Sequence, residues 1–173
     1  FCSVDISFQH PFFDAKSGRL YFSSNLKGGQ GGYDIYFSEL LEDGSWGNPI
    51  IAEGVNGPSD DVFPTVAQDG TLYFSRSVDQ RGLDIFAYEK GSVQSLNSPL
   101  ITSNDEFSLI ELNKDSVVFS QSQSGQFNTD LVLAWIETDG LEKIEEQNLT
   151  VYLTVSEDMD PWEFAVEIRF KLP

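Results

Sequence analysis

Acidic side chains carry most of the chemistry this sequence could do. Asp34, Asp84 and Asp130 each open a short apolar run (Asp34-Ile35-Tyr36, Asp84-Ile85-Phe86, Asp130-Leu131-Val132), at spacings of 50 and 46 residues. A ring of carboxylates could hold a metal or exchange protons. Repetition favours a structural role instead: an aspartate at a strand start accepts backbone and hydroxyl hydrogen bonds, and structure must recur in every unit where function seldom does. Asp60-Asp61 and Asp105-Glu106, with Asp158 and Asp160, offer oxygen ligands of the kind Ca²⁺ takes. None of these stretches has the Asp-x-Asp-x-Asp-Gly spacing of a dedicated calcium loop. Solvated or structural roles are expected for them, and Ca²⁺ is the one cofactor left open.

The other constellations fall short of catalysis. Gly28-Gly29-Gln30-Gly31-Gly32 lacks the Lys and Ser/Thr of a phosphate loop and opens no helix, so it reads as a turn built on permissive backbone. His10 is the single histidine, which excludes multi-histidine zinc sites. Ser23, Ser75 and Ser120 recur with the repeat, outside any Gly-x-Ser-x-Gly elbow. No catalytic residue is assigned and no enzymatic activity is expected. Tyr33 and Trp46, in loop-like positions, are the aromatic candidates for contact with another protein. Tyr21, Phe22, Tyr33, Tyr36, Tyr73, Phe74, Phe86 and Phe119 could form a sugar-stacking platform, but alternation along strands assigns most of them to a core.

The elements that position these residues repeat. Leu20-Tyr21-Phe22-Ser23, Leu72-Tyr73-Phe74-Ser75 and Val117-Val118-Phe119-Ser120 precede the three Asp-led runs, 52 and then 45 residues apart. Each unit reads as a few short strands with a polar or glycine-rich turn between them. Such a period predicts an all-β chain of about three four-stranded propeller blades, near 1–52, 53–100 and 101–140. Residues 141–173 change character. Leu149, Val151, Leu153 and Val155 alternate with polar residues, as do Phe164, Val166, Ile168 and Phe170, which predicts a β-hairpin over 148–172. It is a degenerate blade or the start of a following β-domain.

The 173 residues carry 28 acidic and 10 basic side chains, a formal charge of −18. That field repels phosphate backbones and anionic lipid headgroups, so nucleic acid is not an expected partner. No apolar run approaches the ~20 residues a membrane helix needs. The lone Cys2 forms no internal disulfide. Near the start it admits a lipoprotein reading, although Phe1 stands before it, and an ordinary strand cysteine is expected. Asn148-Leu149-Thr150 fits a glycosylation sequon.

The motifs His10-Pro11, Leu20-Tyr21-Phe22-Ser23-Ser24, Gly28-Gly29 and Gly31-Gly32 before Asp34-Ile35-Tyr36, and Gly44-Ser45-Trp46-Gly47 resemble the PD40 (WD40-like) β-propeller repeat. Asp61-Val62-Phe63-Pro64, Asp69-Gly70-Thr71-Leu72-Tyr73-Phe74-Ser75 and Asp84-Ile85-Phe86 continue the likeness, which covers residues 1 to about 136. The version it looks most like occurs in Bacteroidetes OmpA-family cell-envelope proteins. Asp115-Ser116-Val117 also resembles the O-glycosylation motif of such proteins. The resemblance implies a non-enzymatic protein-interaction scaffold, periplasmic, outer-membrane-associated or at the cell surface, with a role in type IX secretion or gliding. Similar propellers also serve as accessory domains of peptidases, and a glycan-binding module is a further alternative. Three blades cannot close a ring, which takes about four or more, so further blades or another chain are expected to cover the open edge.

Overall fold

The computed structural model describes residues 5–78, 82–96, 100–114, 116–123, 129–135 and 166–167. Among them there is no helix, and the strands form three separate four-stranded sheets. The first runs β1 (Phe8–Asp14), β2 (Arg19–Ser24), β3 (Asp34–Glu39) and β4 (Ile50–Ile51), each antiparallel to the next. The second repeats this meander with β5 (Asp61–Val66), β6 (Leu72–Val78), β7 (Gly82–Glu89) and β8 (Ser92–Ser95). The third has β9 (Asp105–Asn113), β10 (Ser116–Ser122) and β11 (Thr129–Trp135) in the same order. These sheets match the all-β, blade-like architecture the repeat predicts, the first three strands of each running in the same order.

The fourth position of the third sheet is filled differently. Its occupant is β12 (Val166–Glu167), which pairs parallel to β11, Val132 opposite Val166 and Leu133 opposite Glu167. A parallel neighbour requires a long crossover connection, whereas β8 follows β7 through the turn at Lys90-Gly91 and β4 returns antiparallel to β3 after the segment 40–49. The remainder of the hairpin predicted over 148–172 lies outside the described residues, as do Cys2, Asn148, Asp115, Asp158 and Asp160.

Register makes the three sheets superimposable in sequence. Phe22, Phe74 and Phe119 face Tyr36, Phe86 and Val132 across the β2/β3, β6/β7 and β10/β11 pairs. All three phenylalanines are buried. Each first strand carries a bulge at the same place, between Gln9 and Phe12, between Val62 and Thr65, and opposite the Val118–Ser120 step of β10; β9 has a second register shift opposite Ser116–Val117. There His10, Phe63 and Ser108 take positive φ, at 52°, 55° and 59°. For a bulky side chain this is an outlier that the surrounding sheet must hold in place. Pro11 and Pro64 follow directly, at points where the broken ladder asks for no N–H donor.

The core lies between sheets. Ile35, Ala52 and Val55 of the first unit form one buried cluster with Leu72 and Phe74 of the second. Ile85 of the second unit joins Leu109, Val117, Phe119, Val132 and Ala134 of the third. Ile35 and Ile85 occupy the same strand position and are both 0% exposed. Burying a side chain of this size contributes about 1.5–3 kcal/mol, so these contacts stack one sheet on the next. The aromatic alternation therefore builds a core; Phe22, Tyr36, Phe74 and Phe119 are buried, and Tyr21, Tyr73 and Phe86 half-buried.

Candidate functional site

Asp34 is buried and accepts hydrogen bonds from the backbone N–H groups of Gln30 (3.0 Å) and Gly31 (3.2 Å). The glycine loop wraps this carboxylate closely: a Cβ on Gly29 would sit 1.8 Å from Asp34 Oδ2. Gly28 has φ +108° and turns the chain in open space, while Gly31 lies against the Ser59 carbonyl. Gly32 meets Asp60, whose Oδ1 accepts the Tyr33 N–H at 2.8 Å. The second unit repeats the device. Asp84 is buried, and Asp105 Oδ1 accepts the Leu83 N–H at 2.7 Å, passing so close to Gly82 that a Cβ there would lie 1.8 Å away. Gly-x-Asp is thus a joint. The glycine clears space for an acid from the next sheet, which ties down the following N–H. Asp130 holds the equivalent strand position but is exposed.

The second acid of each pair turns inward. Asp61 is 0% exposed and accepts Arg76 Nε at 2.7 Å, Arg76 Nη2 at 3.2 Å and the Gly57 N–H at 2.7 Å. Burial pushes its carboxyl above the ordinary range, against the pull of Arg76 and Gly57. Arg76 also donates to the Val55 carbonyl at 2.7 Å and lies over the rings of Phe74 and Phe86. In the third sheet the matching pair is Glu106 and Gln121. Glu106 Oε1 accepts Gln121 Nε2 at 3.0 Å, the Thr102 N–H at 3.2 Å and the Thr102 hydroxyl at 2.5 Å. In the first sheet the same positions hold Phe8 and Ser24, with no charge at all. The four described acids among those weighed for Ca²⁺ (Asp60, Asp61, Asp105 and Glu106) are therefore engaged in hydrogen bonds between or within sheets. Among the described residues no three His, Cys, Asp or Glu side chains gather as a metal group.

The bulges bring three rings together across the first strands. His10 stacks on Phe63 with centroids 3.7 Å apart, and Phe63 meets Phe107 at 5.0 Å. Burial lowers the His10 pKa, favouring the neutral ring. Its Nδ1 lies 3.5 Å from Ser23 Oγ. This ladder was not legible as a site from the sequence; the recurrence of His10-Pro11 and Phe63-Pro64 is the signal that marks it.

Of the two aromatic contact candidates, Tyr33 is half-buried, and its hydroxyl accepts Gln9 Nε2 at 3.0 Å. Trp46 is 38% exposed, bridges to Leu40, and meets Phe13 edge-on at 5.8 Å. It rims an open, almost wholly apolar cavity of about 320 Å³ bounded by Phe8, Pro11, Leu20, Phe22 and Ser38. Leu40, Leu41 and Ile50 lie on or beside the connection from β3 to β4 and are each 46% exposed. This end of the first sheet exposes apolar surface. Compared with protein-family models and with curated proteins, the chain gave no match.

Proposed function

We propose that this chain is a non-enzymatic, blade-built interaction scaffold that engages other proteins through the apolar rim of its first sheet. The observation that carries the reading is a division of labour. Its buried acids hold strands and sheets together, while Leu40, Leu41, Trp46 and Ile50 stand exposed on or beside the one connection from β3 to β4, apart from the exposed Ile110, Leu112 and Leu131 of the third sheet. Large apolar side chains exposed together on one connection favour a site of protein contact. The likeness to PD40 repeats supports a β-propeller setting in a Bacteroidetes-type envelope, in the periplasm or at the outer membrane, with a part in type IX secretion or gliding.

The test is crosslinking of the chain in a Bacteroidetes envelope fraction, followed by mass spectrometry, beside a Leu41→Glu/Ile50→Glu variant. Capture of defined envelope proteins, lost in the variant, is the expected result. Capture of a peptidase catalytic domain would favour an accessory role. Binding on a glycan array with no protein captured would replace the scaffold reading by a carbohydrate module.

A further inference from the structure

The cavity beside Trp46 has a counterpart in the other sheets, and there it is filled. By register, Pro11, Leu20, Phe22 and Ser38 of the first sheet correspond to Leu109, Val117, Phe119 and Ala134 of the third. Those four close around Ile85 of the second sheet. Leu72 and Phe74, the same positions in the second sheet, receive Ile35 of the first. On the first sheet the equivalent residues line the open cavity.

At the far end the complementary side chain stands bare. Leu131 lies opposite Ser120 just as Ile35 lies opposite Ser23 and Ile85 opposite Ser75. Leu131 is 49% exposed where both isoleucines are 0%. The described sheets thus present a slot on one side and the branched aliphatic residue that fits it on the other.

We infer that a second copy of this chain docks its third sheet on the first sheet, seating Leu131 in the cavity walled by Leu20 and Phe22. The inference rests on the scaffold reading above and names one occupant for its apolar end. The Gly-x-Asp joint supports a copy of this chain over a sheet of the usual pattern. Ser7 stands where Asp60 and Asp105 supply the acid, and Asn128 stands in the sequence where Gly32 and Gly82 clear space for it. The sequence at 128 offers no glycine to receive an acid, and Ser7 of the first sheet brings none. The two absences match each other. The contact is head-to-tail, and two copies bring together six sheets of the described residues, within the four to eight of closed propellers. Because each copy carries a charge of −18, screening by salt strengthens the association.

The test uses two single-cysteine proteins in a Cys2→Ser background, Leu131→Cys and Ser38→Cys. A short bismaleimide should join them when mixed, and should give no dimer with either alone. Sedimentation velocity should show a species of twice the chain mass, favoured at higher ionic strength and weakened at least tenfold by Leu131→Asp with an unchanged circular dichroism spectrum. A monomer at all concentrations, crosslinking of Leu131→Cys to itself, or open-ended growth beyond the dimer would overturn the inference. A monomer that still captures envelope proteins through Leu41 and Ile50 defeats this inference alone; a dimer that captures nothing defeats the scaffold reading alone.

Discussion

Replacing Arg76 by alanine tests the account of the buried acids most directly. The substitution removes two hydrogen bonds to Asp61 and one to the Val55 carbonyl, and strips a cation from the rings of Phe74 and Phe86. Asp61 is left 0% exposed with only the Gly57 N–H. Breaking a buried pair by deleting one partner costs about 3–5 kcal/mol. The Arg76 side chain is 18% exposed, so water partly replaces it and the lower end, about 3 kcal/mol, is expected. The cost should depend on pH. Asp61 already titrates above its ordinary value, and losing Arg76 raises it further. The folded state then takes up the proton before the unfolded chain does. The penalty is therefore full above the folded pKa and shrinks as pH falls through it towards the ordinary carboxylate value. Urea denaturation of Arg76→Ala between pH 8 and pH 4.5, beside Asp61→Asn/Arg76→Gln, reads this out. The double variant copies the neutral donor that Gln121 supplies in the third sheet, and should recover most of the loss at pH 8. A cost below about 1 kcal/mol, or one that does not change with pH, would refute the claim that Asp61 is a buried charge held by Arg76.

Three further outcomes are expected. Gly82→Ala drives a Cβ into Asp105 at φ +93° and should cost at least about 2 kcal/mol, whereas Gly70→Ala, with similar φ but open space, should cost about 1; thermal melts of the two variants decide it. Ile85→Ala should destabilise by about 2–5 kcal/mol while Leu131→Ala, at the same strand position, stays within about 0.5 when the chemical denaturation is run at protein concentrations where the chain is monomeric. The His10 pKa is lowered on folding, so its contribution to stability is present above about pH 6.5 and is lost as pH falls through the folded value; His10→Phe, which copies Phe63 at the same φ, should remove that part of the pH dependence of the denaturation midpoint.

What the sequence carried openly was whatever sits close together along the chain. The Leu-Tyr-Phe-Ser strands and the Asp-led strands lie within one unit, so their spacing alone placed the three sheets. The Asp34 loop was legible for the same reason, its donors being three and four residues away. The joint between sheets was not. Tyr33 meets Asp60 across 27 residues and Leu83 meets Asp105 across 22, so acids that look like calcium ligands in isolation become strand clamps only once register is known. Asp130 shows the converse: its motif matches Asp34 and Asp84, but burial of such a position comes from a following sheet, which no local pattern encodes. The bulge was half legible, since Pro follows His10 and Phe63, while Ser108-Leu109 leaves no mark in the third unit.

The acid clamp also sets where the chain can be cut. Asp60 belongs by sequence to the second unit but completes the turn of the first, and Asp105 does the same for the second. A truncation at a repeat boundary near residue 52 would free the Tyr33 N–H and strip the cover from Ile35. During synthesis each sheet is finished only when the opening strand of its successor has emerged from the ribosome. The smallest piece able to stand alone is thus longer than one repeat, and its natural end lies past the next first strand.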